Sequence, residues 1–359
     1  MMMRCFTALM LTSLLMILAC DTFVPAPDQS SPVELFDALW SDVDEFYALF
    51  EVRGVDWDAA YSTYRPRVHE DLDDAELLEV MCELIGELDD AHMWIAAEGL
   101  SYCNSNPNDS IRFFDDGEPG QFEQDYRDNS FIIRENYGGP GAWESWTMFE
   151  LDPEVIGGHT VLYLNLDSFD HESTRVRWGE VWNCLEAPPQ VDGLIIDLRR
   201  NPGGYREQSL RMASCLAATA RTCAHVQSRN GPDHDDLSPP RAYGVDPTGQ
   251  GWGEVPVVIL THTYTVSAAE WFLLAMRDRS RTTVVGLTSR GSLSSRSERV
   301  LPNGWMYTNC GELVFDADGV CWEGRGVPPD TTVCTTIEAL ERAHDLALDA
   351  ALEILSNDL

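Results

Sequence analysis

Ser267 lies at a point in the chain where a serine hydroxyl could act as a nucleophile. The apolar stretch 255–261 leads through residues 263–266 into a stretch with helical spacing that begins at Ser267. Free backbone N–H groups at the amino end of such a helix can stabilise an oxyanion. On the local pattern alone the stronger interpretation is that Ser267 only caps the helix, with Glu270 completing a capping box.

A second candidate is the turn Asn201-Pro202-Gly203-Gly204, which follows the apolar stretch 193–198. Paired glycines let the backbone approach a bound group closely and direct N–H donors at it. The alternative is an ordinary tight turn, and the residues do not decide between the two. Both candidates follow apolar strands, and binding sites in open α/β sheets gather at the carboxyl ends of strands.

A serine nucleophile needs a general base, because its hydroxyl is weakly nucleophilic near neutral pH. His262 lies close to Ser267 in sequence, whereas His234 lies in an acidic stretch and is expected to be solvated. His92 follows a helical stretch and could be only a favourable charge at the carboxyl end of that helix. Composition does not choose among the three.

The elements that would position these residues fall into a helical part and an α/β part. Three helices are predicted in the amino-terminal part, at residues 31–50, 56–64 and 73–88; the first and third begin with a capping box. Strand-like stretches at 160–166, 193–198, 255–261 and 283–287 alternate with helical ones at 176–185, 209–217 and 267–277. This alternation predicts a mixed sheet flanked by helices.

The remaining segments have weaker patterns. Residues 131–133 look like a short strand within an irregular connection, and residues 227–254 are polar and loop-like. In the tail, Thr335 and Glu338 predict a capping box for one helix that ends near residue 355. The predicted divisions are a signal peptide (1–20), a tether (21–30), a helical domain (31–95), an irregular connection (96–158) and an α/β catalytic domain (159–359).

Charge and targeting signals restrict the functional classes. The chain carries 24 basic and 60 acidic residues, a formal net charge of −36, which disfavours nucleic acid as a partner. The first twenty residues resemble an export signal whose end, Ile17-Leu18-Ala19-Cys20, resembles a bacterial lipobox. Cys20 would then be lipidated and form the only membrane attachment. The alternative is an ordinary secretory signal cut near Ala19.

The cysteines agree with export. Besides Cys5 and Cys20, eight remain, and an even number in an exported protein suggests disulfides. Sequence spacing favours the pairs Cys215–Cys223 and Cys310–Cys321, although spacing does not determine connectivity. No two cysteines have the CxxC spacing, which disfavours a zinc ribbon or a thioredoxin-type site.

Taken together, four stretches resemble the tail-specific (C-terminal-processing) protease and tricorn-core family of serine peptidases, in its tricorn-like branch. In chain order they are 54–58 together with 88–92 (LDDAH), 193–204 (GLIIDLRRNPGG), 265–270 (TVSAAE) and 324–330 (GRGVPPD). The resemblance covers most of the chain that follows the signal, and it reverses the local preference for a cap at Ser267. It implies a ClpP/crotonase-like α/β core with a small amino-terminal helical domain.

The resemblance also implies site residues and a reaction. Ser267 would be the nucleophile, His92 the general base and Glu323 the acidic residue that completes the relay. The N–H of Ala268, with that of Gly203 or Gly204, would form the oxyanion hole. The implied activity is hydrolysis of peptide or protein substrates without a metal or other cofactor.

Three departures from the family pattern matter. The processing-protease branch has a lysine base about two dozen residues after the serine, where this chain has residues 288–292 (TSRGS). Tricorn-like enzymes carry a serine before the histidine, where this chain has Ala91. Residues 93–159 are too short and irregular for the PDZ module of many relatives.

The sequence therefore predicts an exported serine peptidase, either a cell-envelope lipoprotein or a secreted protein. One alternative is a non-catalytic ligand- or peptide-binding envelope lipoprotein on the same fold. Another is a structural lipoprotein without an organised cleft.

Overall fold

The computed structural model describes residues 30–106 and 121–359. The predicted signal peptide, with Cys20, lies outside these residues. Among them, no helix combines the length and apolar character needed to cross a membrane.

The amino-terminal helices form where they are predicted, except that the first ends at Phe46 and a separate short helix begins at Phe50. Ser31 and Glu34 make a complete capping box at the first helix, and Asp73 with Glu76 does the same at the last, so that free N–H groups at both helix starts are bonded. In chain order the helices are α1 Pro32–Phe46, α2 Phe50–Arg53, α3 Trp57–Tyr64, α4 Asp74–Gly86, α5 Phe122–Asn136, α6 Trp178–Glu186, α7 Arg206–Leu216, α8 Ala268–Arg277, α9 Ile337–Glu341 and α10 Leu346–Asp358.

Three sheets complete the fold. The strands, in chain order, are β1 Trp94–Ala96, β2 Tyr102–Asn104, β3 Met148–Glu150, β4 Val161–Asn165, β5 Gly193–Asp197, β6 Arg221–Ser228, β7 Arg241–Val245, β8 Val257–Thr261, β9 Thr282–Gly286, β10 Arg296–Val300, β11 Met306–Cys310, β12 Glu312–Asp316 and β13 Thr331–Thr332. The main sheet has the order β13-β9-β8-β5-β4-β3, parallel except for the edge strand β3. The predicted mixed sheet is confirmed.

Both faces of the main sheet are covered. Every residue of β4, β5 and β8 is buried, as expected for central strands of an α/β sheet. Alternate side chains pack against α6, α7 and α8 on one face and against α5 and α10 on the other. This two-sided burial fixes the register of β5 against β8 and hence the positions of the loops that follow them.

The amino-terminal helices share their core with distant strands. In a small antiparallel sheet of order β10-β11-β1-β2, Ile95 of β1 pairs with Tyr307 of β11. Both residues are buried in one cluster with the side chains of α1, α3 and α4. Strand β1 begins shortly after His92, at Trp94, and Thr308 of β11 bonds to the His92 carbonyl oxygen, so His92 is held against the carboxyl-terminal half of the chain.

The predictions for two connecting segments are wrong. Residues 131–133 lie within the helix α5 because Phe122, Tyr126, Ile133 and Tyr137 recur at helical spacing and are all buried, the first two in one apolar cluster and the last two in another. Residues 227–254 contain β7, which joins β6 and β12 in a three-stranded sheet.

The tail has two helices instead of one. The first is capped by Thr336 rather than by Thr335. The chain then turns at Ala343 (φ +64°), and Asp345 caps α10 by accepting bonds from two N–H groups of its first turn.

The predicted disulfides are also wrong, because short sequence spacing does not bring the sulfur atoms together. Cys215, Cys223, Cys310 and Cys321 are free thiols. The Cys223 thiol lies 3.6 Å from the carbonyl oxygen of Tyr243. A single disulfide is found among the described residues, between Cys82 of α4 and Cys103 of β2.

Candidate active site

Ser267 occupies a strained turn between β8 and α8. Its backbone angles are φ +58° and ψ −118°, outside the regions that residues with a side chain usually adopt. Such a conformation costs about 1–3 kcal/mol and persists only where the surroundings enforce it. Ser267 lines a cleft of about 560 Å³, together with Ala268 at the first position of α8. The strain therefore places its side chain at the amino end of a buried helix.

The carboxylate of Glu270 holds the Ser267 turn in place through hydrogen bonds. This buried carboxylate accepts hydrogen bonds from the Ser267 N–H at 2.9 Å and the Gly291 N–H at 2.6 Å. Two more come from the Ser289 hydroxyl at 2.6 Å and the Ser292 N–H at 3.0 Å. Burial raises the pKa of Glu270, and these hydrogen bonds oppose the shift. Glu270 thus fixes the nucleophile turn to the loop at residues 289–292.

The glycine turn packs directly against the Ser267 turn. Gly203 has φ +102°, and a Cβ atom at this position would lie 2.7 Å from the Ser267 Cβ and 3.0 Å from the Ala268 nitrogen. The Gly203 N–H is already bonded, at 2.8 Å, to the side-chain oxygen of Asn201. Asn201 also joins the two turns, because its carbonyl oxygen accepts a bond from the Val266 N–H at 3.0 Å.

Of the two glycines in this turn, Gly204 is the one that lines the cleft. It has φ +136°, and a Cβ there would meet the backbone of Phe169 at 2.3 Å, so only glycine fits. Of the two glycines that the sequence leaves open as oxyanion donors, Gly203 has its N–H occupied and Gly204 is at the cleft.

His92 lines the same cleft from the opposite side. Its backbone N–H donates to Asp90 at 2.9 Å, and its carbonyl oxygen accepts from the Thr308 hydroxyl at 2.6 Å. The side chain is 6% exposed, and its Nδ1 atom is buried without a hydrogen-bond partner among the described residues. His92 therefore lines the cleft with one of its ring nitrogens, Nδ1, buried and unpartnered among the described residues.

Burial lowers the pKa of His92. The negative charge of Asp90 opposes this shift, and the positive charge of Arg296, another residue of the cleft, adds to it. A lowered pKa keeps the imidazole neutral near pH 7, which is the form that accepts a proton.

Glu323 is fully buried close to the cleft, but its contacts are with other groups. One carboxylate oxygen accepts from the N–H groups of Leu293 at 3.0 Å and Ser294 at 2.5 Å. The other lies 3.5 Å from the Arg53 guanidinium. Within 30–106 and 121–359 no hydrogen bond joins Glu323 to His92.

Arg53 connects Glu323 to the segment before His92. Its guanidinium lies 3.5 Å from Glu323 and 3.6 Å from Asp90, and it also donates to the carbonyl oxygens of Asp89 and Gly291. Burial, reinforced by the charge of Asp90, raises the pKa of Glu323 well above its usual range. Asp90 is part of the motif at residues 88–92, but the sequence assigns no role to Asp90 or to Arg53. Their contacts join segments that lie far apart in the chain.

The other candidate bases lie elsewhere. His262 is buried on a separate small cavity, and its Nδ1 accepts from the Tyr264 N–H at 3.3 Å. The Nε2 atom of His234 lies at hydrogen-bond distance, 2.8 Å, from the Asp44 carboxylate rather than only in solvent. Of the three histidines weighed from the sequence, His92 is the one that shares a cleft with Ser267.

In the part of the chain that the structure describes, two side-chain clusters have the spacing of metal ligands. Polar atoms of Asp90, His92 and Cys310 lie within 4.8 Å of one another, as do those of three aspartates in the loop at 233–236. The first cluster fits a cation poorly, because the Arg53 guanidinium lies 3.6 Å from the same Asp90 carboxylate. It is better described as a buried network of hydrogen bonds and charges.

Comparison with known proteins agrees with this arrangement. Residues 160–333 match the model of peptidase family S41, and residues 30–86 match that of the tricorn protease C1 domain. The carboxy-terminal processing protease CtpB of Bacillus subtilis is 28% identical over 148 residues. That match covers 40% of this chain and 28% of CtpB, so the chain corresponds to well under half of such relatives.

Two solved structures extend the similarity to nearly the whole chain. A candidate peptidase from Parabacteroides merdae is 26% identical, with a TM-score of 0.73, over 91% of this chain and 97% of that chain. The tricorn protease has the same fold, with 15% identity and a TM-score of 0.58 over 91% of this chain and 37% of that chain. The chain therefore carries a peptidase family S41 domain preceded by a tricorn protease C1 domain, and its relatives in sequence are tail-specific serine proteases.

Proposed function

We propose that this chain hydrolyses peptide bonds through an acyl-enzyme on Ser267. The observation that carries the proposal is the strained Ser267 backbone, φ +58°, at the amino end of α8 on a cleft that His92 also lines. A helix cap does not require this strain, whereas a nucleophile that must stand clear of its helix does. The match to peptidase family S41 supports the same assignment.

The general base in this proposal is His92. The 24 residues counted as lysine or arginine are all arginine, so these 359 residues contain no lysine that could form a Ser/Lys dyad. His92 shares the cleft with Ser267, and its lowered pKa favours the neutral imidazole that the reaction needs.

The oxyanion hole in this proposal consists of the N–H groups of Ala268 and Gly204. Ala268 is the first residue of α8, where N–H groups have no partner within the helix. Gly204 is preferred over Gly203 because the Gly203 N–H is bonded to Asn201. Each donor would be worth about 3 kcal/mol of transition-state stabilisation, as in other serine peptidases.

The reaction then has two halves. His92 accepts the Ser267 proton as the oxygen attacks the scissile carbonyl, and it returns that proton to the leaving amine as the peptide bond breaks. Water next attacks the acyl-enzyme with His92 again as base, which releases the new carboxyl group and restores Ser267. Glu323 would support His92 indirectly, through Arg53, because Ala91 provides no side-chain link between them.

Substrate and location are inferred from the family and the sequence. The substrates are peptides or proteins rather than nucleic acids, and the protein is exported, with a lipid anchor at Cys20. Metabolic labelling with a palmitate probe tests the anchor. Label in the wild type that disappears in Cys20→Ser supports it, and an unlabelled wild type contradicts it.

A fluorophosphonate probe, which labels activated serines, tests the nucleophile. The wild type and Ser295→Ala, a matched change on the same cleft, should both be labelled, whereas Ser267→Ala should not. Equal labelling of Ser267→Ala would refute the assignment. A wild type that binds peptides but neither reacts with the probe nor hydrolyses them would favour the binding-protein alternative.

A further inference from the structure

The buried side of His92 lacks the partner that a catalytic histidine normally has. Its Nδ1 is buried without a hydrogen bond among the described residues. A general base needs an acceptor at this nitrogen to fix the tautomer and to stabilise the imidazolium that forms. Ala91 cannot supply it, because its side chain is a methyl group.

Asp90 lies close to the His92 ring. Its side chain is 1% exposed, and one oxygen accepts the His92 backbone N–H at 2.9 Å. A carboxylate oxygen of Asp90 and a ring nitrogen of His92 lie within 4.8 Å of each other. The proposed contact requires the imidazole to rotate until this distance reaches hydrogen-bond length, about 3 Å. Asp90 also contributes more to the pKa of His92 than any other charged group, and in the direction that favours the imidazolium.

The position of Asp90 is fixed by several groups from other elements. The Tyr47 hydroxyl donates to its second oxygen at 3.0 Å, and the Arg53 guanidinium lies 3.6 Å from its first. The Asp90 N–H donates to the Ser105 hydroxyl at 3.1 Å. A carboxylate held on several sides can in turn hold the imidazole in one orientation.

Glu323 is less suited to this direct role. One of its oxygens is occupied by the N–H groups of Leu293 and Ser294, and the other faces Arg53. Arg53 therefore stands between the two carboxylates, 3.5 Å from Glu323 and 3.6 Å from Asp90.

We infer that Asp90 is the positioning residue for His92, and that Arg53 couples it to Glu323. The order Ser267–His92–Asp90–Arg53–Glu323 replaces a relay that would run through a serine at position 91. This inference rests on the proposed function, since it names what orients the proposed base.

Asp90 could instead serve only to shape the turn that contains His92, and the substitution Asp90→Asn separates the two roles. The amide oxygen of asparagine can still accept the His92 N–H that shapes the turn, whereas the NH2 group replaces the oxygen that the Tyr47 hydroxyl contacts, and the side chain has no charge. If Asp90 orients the base, peptide hydrolysis and fluorophosphonate labelling should slow by roughly 10²-fold or more. The His92 pKa, followed by NMR titration of its ring protons, should fall further.

The matched control is Asp89→Asn, which removes a carboxylate one residue away that faces Asn106 instead. It should keep the wild-type rate and His92 pKa. A second variant, Tyr47→Phe, removes only the hydroxyl that holds Asp90 and should slow labelling by about 10-fold; it decides the question if Asp90→Asn does not fold.

The inference is overturned if folded Asp90→Asn, or Tyr47→Phe in its place, keeps the wild-type rate and His92 pKa. Loss of activity in Asp90→Asn with an unchanged His92 pKa would also overturn it and favour a purely structural turn. Failure of the proposed function itself would look different, because Ser267→Ala and His92→Ala would then react like the wild type.

Discussion

Gly203 lies against Ser267 so closely that a Cβ atom at position 203 would come within 2.7 Å of the Ser267 Cβ. The same atom would lie 3.0 Å from the Ala268 nitrogen, which is a proposed oxyanion donor. Contacts this short must move one of the two turns. We therefore expect Gly203→Ala to reduce the fluorophosphonate labelling rate by roughly 10²-fold or more, the effect of losing one donor.

Gly249 provides a matched control. It also has a positive φ, +72°, but a Cβ there would meet nothing within 4 Å. Gly249→Ala should show the backbone strain of about 1 kcal/mol in urea unfolding without a loss of labelling. Equal labelling rates in the two variants would contradict the proposed place of the oxyanion hole.

The hydrogen bonds of Glu270 lead to a prediction about stability. Its carboxylate accepts from four donors, and the amide of Glu270→Gln would turn an N–H donor toward at least one of them. A buried donor without a partner costs about 1–3 kcal/mol, so the free energy of unfolding in urea should fall by at least that amount. Glu298→Gln, on the exposed strand β10, should change it by less than about 0.5 kcal/mol. A loss no larger than that in Glu270→Gln would contradict the proposed anchoring.

The lowered pKa of His92 sets the acid limit of activity. Rates limited by a neutral base fall when that base is protonated, so kcat/KM should decline with a midpoint below the usual histidine pKa of about 6.5. Arg296 lowers the pKa of His92, and Arg296→Gln should therefore move the midpoint to higher pH. Arg175→Gln, at an exposed arginine that does not line the cleft, should leave it in place. A midpoint that rises equally in both variants would contradict a local effect.

The same shift affects stability. His92 takes up its proton at a lower pH in the folded state than in the unfolded state. At pH values between the two pKa values, the unfolded state therefore binds more protons than the folded state does. Its contribution to the free energy of unfolding is therefore lost as pH falls from about 6.5 toward the folded pKa. His92→Gln should remove this part of the pH dependence between pH 7 and pH 5, and an unchanged dependence would contradict it.

Much of the framework could be predicted because the signals are local. The capping boxes at Ser31 and Asp73 are contained within four residues each, and the buried strands β4, β5 and β8 are continuous apolar runs. A parallel sheet then places the ends of neighbouring strands at one edge, and this is why Ser267 and the glycine turn could be expected together.

The features that the sequence did not indicate depend on contacts between distant segments. The Tyr47 hydroxyl donates a hydrogen bond to Asp90, and the Arg53 guanidinium forms an ion pair with Glu323. No spacing pattern in the sequence predicts either contact. The strands of the small sheet are three to five residues long, and Ile95 finds its partner at Tyr307. Cys82 and Cys103 are likewise brought together by the packing of α4 against β2.

That disulfide joins the helical unit to one wall of the cleft. Cys103 lies in β2 between Tyr102 and Asn104, which both line the cleft. The bond links residues 21 positions apart, and closing a loop of that size stabilises a fold by roughly 3 kcal/mol in the chain-entropy model. We expect Cys82→Ser/Cys103→Ser to lower the free energy of unfolding by about that amount and to slow peptide hydrolysis through a looser β2.

Cys184→Ser, at a free and partly buried cysteine, is the control and should leave both quantities near the wild-type values. Adding a reductant should destabilise the wild type to the level of the double variant and should not affect the double variant further. If the reductant leaves the wild-type unfolding curve unchanged, the Cys82–Cys103 bond does not contribute to stability in solution. If the free energy of unfolding falls while the rate of peptide hydrolysis does not, β2 keeps its position in the cleft without the disulfide.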